Sequence, residues 1–273
     1  MKIARFIVSA AVLAILAACG GGGGGDGGND GGGDPPDPTL PPTSTPTPTP
    51  VVSSVDAPFV VGSESRYMVY SPSLTQLGGS ASGAVPDEAG VIRTFGTTQF
   101  SADTQVVDLM GDASYVVAGF TNGQVTTSTN PGGIAISDTS YWYTAAFNRF
   151  AAMPADAAPT CAGRFTVPTS GSVKGTIQGT ASLAVVSGTA TATIQLDMTP
   201  AGGAAATTIG QTATFDASSL SSVKVSGGFL SSGSGMATAL GEGVNGGFVL
   251  VSPWKIVLAN NTLYSGIAVF TCN

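Results

Sequence analysis

Residues 190–198 read Ala190-Thr191-Ala192-Thr193-Ile194-Gln195-Leu196-Asp197-Met198, with apolar side chains at every even number and polar ones between. An extended chain throws successive side chains to opposite faces, so a period of two is that of a half-buried strand with its apolar set inward. The end of the chain repeats the period differently. Tyr264, Gly266, Ala268, Phe270 and Cys272 alternate with Ser265, Ile267, Val269 and Thr271, so both faces of this strand are expected to be covered. Shorter strands are expected at 66–70, 105–109, 114–120, 124–127, 134–136, 141–143, 164–167, 174–178, 181–186, 212–215, 223–225, 247–251 and 254–258. Between them Asn122-Gly123, Asn245-Gly246 and Asn260-Asn261 supply the positive φ that tight turns require. Many short strands with regular turn chemistry predict an all-β fold, an antiparallel β-barrel or sandwich. One exception is expected at 144–153, where Phe147 and Phe150 stand three apart among alanines ahead of Pro154 and predict a short helix.

Composition sets the outer limits. Charged residues make up 9% of the 273, against roughly 25% in ordinary soluble domains. The chain has no histidine, which excludes Ser-His-Asp and Cys-His triads, H-E-x-x-H zinc sites and histidine-ligated haem. A formal charge of −7 argues against nucleic acid as a partner, because binding it requires a basic face. No cofactor or metal is expected.

The first eighteen residues read as a targeting segment. Lys2 and Arg5 form a basic start, and the apolar stretch from Phe6 to Leu16 is too short for a permanent span, which needs about 20 residues. The junction Leu16-Ala17-Ala18-Cys19 resembles the lipobox of bacterial lipoproteins. That resemblance implies cleavage before Cys19, a diacylglycerol thioether on its sulfur and an acyl chain on its amine, more than the two signals that stable anchoring takes. It also implies, with Gly20 rather than Asp after the cysteine, a lipid-anchored place at the outer membrane. Losing Lys2 and Arg5 moves the mature charge from −7 to −9.

Residues 19–54 then form a two-part tether. Residues 20–33 hold eleven Gly and no apolar side chain, and such a segment cannot offset its own ordering entropy. As a flexible coil it spans about 20 Å. Residues 35–50 hold eight Pro, which favour extended polyproline II and add on the order of 50 Å. The remaining 55–273 is long enough for one substantial core or two small ones, divided as 55–160, a first sheet or subdomain, and 161–273, a barrel.

Two cysteines are left after lipidation. Cys161 and Cys272 bracket the strand-rich second half, and an exported chain meets an oxidising compartment, so they are expected to form a disulfide that sets first and last strands of that half side by side.

Candidate chemistry is sparse. Ser221-Ser222-Val223-Lys224 and Ser252-Pro253-Trp254-Lys255 match S-x-x-K, but both sit at strand starts, where residues three apart point to opposite faces, and the companion S-D-N and K-T-G motifs are missing. Asp87-Glu88 follows Pro86 as a turn, and adjacent residues cannot flank a glycosidic bond. Asp103, Asp108 and Asp112 match no calcium-loop spacing and read as solvated turns. The densest aromatic group is Tyr141-Trp142-Tyr143. Consecutive rings on a strand face opposite ways, so one ring is expected to leave the core as a ligand-stacking or interface residue. The strands are too short for a transmembrane β-barrel, which needs about 9–11 residues per span.

Taken together, lipobox, Gly- and Pro-rich stalk and Gly/Thr-rich β body resemble the tethered surface lipoproteins of Gram-negative bacteria. Gly227-Gly228-Phe229-Leu230 with Gly246-Gly247-Phe248 resembles the last barrel hairpin of the transferrin-binding protein B-like and factor H-binding-protein-like lipoproteins, over about twenty residues and without their Lys-rich strands. Gly111-Asp112-Ala113-Ser114-Tyr115 resembles uncharacterised lipoproteins. The expected function is a non-catalytic β binding module, for a protein or small-molecule ligand, attached to the membrane through its lipid anchor. The rival readings are a structural or envelope-assembly lipoprotein facing the periplasm and a hydrolase.

Overall fold

In the computed structural model, which describes residues 52–71 and 74–273, the alternating stretch around Ile194 is the middle strand of a three-stranded antiparallel sheet. In chain order the strands are β1 (Val52–Val55), β2 (Ser65–Tyr70), β3 (Thr75–Ser80), β4 (Thr94–Phe95), β5 (Thr98–Phe100) and β6 (Gln105–Asp112). Next come β7 (Tyr115–Thr121), β8 (Gln124–Thr126), β9 (Ile134–Ala135), β10 (Trp142–Asn148), β11 (Cys161–Phe165), β12 (Thr169–Ser170) and β13 (Val173–Lys174). The chain continues through β14 (Thr176–Val186), β15 (Thr189–Thr199), β16 (Thr207–Asp216), β17 (Lys224–Gly227) and β18 (Gly235–Glu242). After a 3₁₀ turn at Val244–Gly246 it ends in β19 (Phe248–Val257) and β20 (Leu263–Cys272).

Four open sheets stack as four layers. The first half of the chain builds an outer sheet, β4-β5-β8-β9, and an inner one, β1-β6-β7-β10-β2-β3. The second half builds an inner sheet, β13-β12-β20-β19-β18-β17 with β11 also paired to β20, and an outer one, β14-β15-β16. Three apolar cores lie between them. Phe95, Phe100 and Val125 meet Leu109, Val116, Phe120 and Trp142 in the first. Met68, Val117, Tyr143 and Phe147 meet Ala239, Val249, Ile267 and Val269 in the second, which joins the two halves. Leu183, Ile194, Leu196, Met198 and Phe215 meet Leu250, Trp254, Ile256 and Phe270 in the third. The expected sandwich is therefore present. The barrel alternative for 161–273 is not, because the second half lies in two open sheets.

Layering explains the sequence patterns. β15 is buried at every even position from Ala190 to Met198 because only one of its faces meets protein. β7 and β10 are buried at almost every residue, since both their faces are covered. That double burial also corrects the expected helix at 144–153. Residues up to Asn148 belong to β10, with Ala145 and Phe147 turned to the second core and Ala146 to the first. An unbroken apolar run lacks the period that separates a buried strand from a helix. β19 corrects a second reading, because the strands expected at 247–251 and 254–258 are one strand through Pro253. Pro253 has no N–H, and the β18–β19 ladder is interrupted between the Met236–Trp254 and Ala239–Val251 pairs. Beside the gap, buried Thr238 Oγ1 lies 3.0 Å from Ser252 Oγ and donates to Gln211 Oε1 at 2.9 Å.

Turns follow their residue chemistry. Asn122, Asn245 and Asn261 all take φ between 54° and 62°. The β14–β15 hairpin turns through Ser187 (φ 50°) and Gly188 (φ 75°), a pair with no asparagine to announce it. Cys161 and Cys272 are bonded and stand opposite each other in the β11–β20 pair, 111 residues apart in sequence. Closing a loop of that length stabilises by up to ~4.7 kcal/mol through the unfolded chain.

Candidate functional site

Neither Trp142 nor Tyr143 leaves the core. Trp142 is buried in the first core, edge-on to Phe100 with ring centroids 6.2 Å apart. Tyr143 is buried in the second, and its hydroxyl lies 2.7 Å from Thr169 Oγ1. Tyr141 is half-buried, its ring stacked 6.4 Å from that of Tyr143. Trp142 and Tyr143 lie in β10, both of whose faces are covered, whereas Tyr141 precedes that strand. Cys19, the cleavage junction and the tether lie outside the described residues.

Below Tyr143 the structure places a carboxyl that the sequence reading assigned to a solvated turn. Asp108 is 9% exposed and lies in β6, not in a loop. A bulge between Val106 and Asp108 causes this. Val106 packs toward the first core and Met110 toward the second, so the extra residue turns Asp108 inward between the two inner sheets. Its cross-strand neighbour is Gly119. Burial pushes the Asp108 carboxyl up to about 6, against a backbone hydrogen bond from Val167 and the charge of Lys174, both of which favour the ionised form. Asp108 lines a crevice of about 210 Å³ with Met110, Arg164, Phe165 and Val167. Arg164 is paired with Asp56 at 2.5 Å. Asp112 does cap a turn, accepting from Ser114 N at 2.7 Å and Ser114 Oγ at 2.6 Å, and among the described residues no three acidic or sulfur ligands converge on a metal position.

The larger concavities lie at the end of the sandwich toward which β1 runs. One, of about 590 Å³, is bordered by Gly62–Glu64, the Ala113–Ser114 turn, Asn148–Arg149 and Glu242–Asn245. Its floor is firmly tied. Ser65 Oγ donates to Asn148 Oδ1 at 2.5 Å, Asn148 Nδ2 donates to Val60 O at 3.0 Å, and Arg149 grips Glu64 through Nη2 at 2.5 Å and Nε at 2.7 Å. The other, of about 680 Å³, is bordered by Ala157–Pro159, Gly246–Phe248 and Asn273. The two share Val244 and Asn245, so the 3₁₀ turn divides one end surface into two crevices. Both volumes lie in the roughly 300–1,000 Å³ range of ligand sites.

The S-x-x-K pairs are not assembled. Ser252 is buried and bonded to Thr238, while Lys255 lies over the Phe229 ring on the other side of β19, and Lys224 lies over Phe215. Asp87 accepts from Ala89 N and Val91 N, as a turn residue does. Fold and crevices define a four-layer all-β sandwich with ligand-sized concavities at its strand ends. No protein-family model matches the chain, and neither a curated protein nor a solved structure matches it.

Proposed function

We propose that this chain is a lipid-anchored protein of the bacterial outer membrane whose β body is a non-catalytic binding module. The observation that carries the reading is the pair of crevices sharing the Val244–Asn245 turn. They open at the end of the β body toward which β1 runs. The disulfide between Cys161 and Cys272 suits an exported protein, and the lipobox at 16–19 with the Gly- and Pro-rich stretch behind it suits anchoring at Cys19.

Two measurements on cells expressing the full chain test this. Radiolabelled palmitate is expected on the native protein and not on the Cys19→Ser variant. Protease added to intact cells is expected to release the β body by cutting in the stretch before Val52. Protection that persists until the outer membrane is opened would move the protein to the periplasmic face and favour a role in envelope assembly. An unlabelled native protein would end the lipid-anchor reading.

A further inference from the structure

Lys255 is an ammonium on an inner strand with no carboxylate within ion-pair distance among the described residues, in a chain whose acidic groups outnumber its basic ones 16 to 9. It is half-buried, donates to Ser231 O and lies 6.0 Å from the centroid of the Phe229 ring. Tyr70 is stacked on the same ring at 5.0 Å. Tyr70 is 2% exposed overall and borders the same crevice, and burial drives its phenol pKa upward.

Both groups border one crevice of about 210 Å³, whose apolar wall is Phe229, Leu230 and Leu263. The position is built rather than incidental. Phe229 is held inward by a tight loop in which Gly228 N donates to Ser234 O at 2.6 Å and Ser231 N to Gly228 O at 2.9 Å. Gly235 lets that loop close, because a Cβ there would come within 2.6 Å of Phe229 N. Leu230, next in sequence, is 67% exposed at the rim.

We propose that this crevice binds an oxyanion, a carboxylate or phosphate group on a partly apolar molecule, gripped by the Lys255 ammonium and the Tyr70 hydroxyl while the apolar part rests on Phe229 and Leu230. A charged donor and a neutral one converging on one oxyanion make charge-assisted bonds, the stronger kind. Desolvation lowers the Lys255 pKa, and an anion beside it reverses that shift. The site is separate from the crevices at the other end of the sandwich.

The test is calorimetric titration of the full-length protein in a neutral detergent with inorganic phosphate, benzoate and dihexanoyl phosphatidylglycerol. Saturable one-site binding of at least one probe is expected. Lys255→Met, which keeps the stem and removes the charge, is expected to weaken it at least tenfold. Tyr70→Phe is expected to weaken it about threefold, by loss of one hydrogen bond, while Lys174→Met leaves it unchanged. Tighter binding of the short-chain lipid than of benzoate assigns a membrane headgroup as the source, and the reverse order assigns a soluble acid. Failure of all three probes to bind, or wild-type binding by Lys255→Met, overturns the proposal. Should Lys255→Met not fold, wild-type affinity in Tyr70→Phe overturns it equally.

Discussion

Asp108 and Gly119 face each other across the β6–β7 pair, and the space that Gly119 lacks is what the Asp108 carboxyl occupies. A Cβ on Gly119 would lie 3.1 Å from Asp108 Cβ, 3.3 Å from Tyr143 Cε1 and 3.4 Å from Asp108 Oδ2. One missing methyl group thus admits an ionisable side chain and a tyrosine ring to the same point between the inner sheets. Gly119→Ala is expected to destabilise the fold by about 1–3 kcal/mol through overpacking. A urea midpoint equal to wild type would show that the ring and carboxyl move aside.

The carboxyl itself makes stability depend on pH. Its pKa is near 6 in the folded chain and about 3.9 when unfolded, so the folded state holds the proton more tightly. Stability is therefore greatest below about pH 4 for this group, falls as pH rises through 6, and levels off above it. A shift of about two units corresponds to roughly 2–3 kcal/mol. Asp108→Asn is expected to be more stable than wild type at pH 8 by up to that amount, with the advantage vanishing near pH 4. Urea unfolding of both proteins at the two pH values measures it, and equal differences at both would refute it.

Removing the disulfide lengthens the unfolded chain's freedom over 111 residues. The Cys161→Ser, Cys272→Ser double variant is expected to lose about 2–5 kcal/mol. Wild type in reductant should unfold at the same urea concentration as the variant, because each lacks only the crosslink.

Buried Thr238 gives a third handle on stability. Thr238→Val keeps the shape but strips Gln211 Oε1 of its 2.9 Å donor and Ser252 Oγ of its 3.0 Å neighbour. The expected cost is about 1–3 kcal/mol from unsatisfied polar groups. Adding Ser252→Ala and Gln211→Leu should recover part of it, since the three side chains lose their polar groups together and only Lys224 O then lacks its 2.8 Å donor, Gln211 Nε2. A thermal melt of single and triple variants decides the matter.

Where one face of a strand meets solvent, the chain is readable from its letters. Ala190 to Met198 announce β15, and the Asn turns at 122, 245 and 261 adopt the left-handed backbone expected of them. Where both faces are covered, the period disappears. The run from Thr144 onward resembles a helix because Ala145, Ala146 and Phe147 are all buried, and β18 carries no polar–apolar alternation because Gly235–Gly241 is buried at every residue. The ionisable groups were hidden for another reason. Asp108 falls within the strand expected at 105–109, and only the bulge at Val106 turns it inward. Tyr70, Phe229 and Lys255 are scattered over nearly two hundred positions of sequence, and no spacing rule connects them.

From its sequence alone this protein is committed to strands, to tight turns at fixed asparagines and to a covalent link between residues 161 and 272, because each of these depends on local backbone preference or on a reactive pair. Tertiary structure alone decides that the sheets stack four deep rather than close on themselves, and that a carboxyl, a phenol and an ammonium end up in narrow spaces between them. Those outcomes depend on which apolar faces meet, a relation between distant segments that no local pattern of residues encodes.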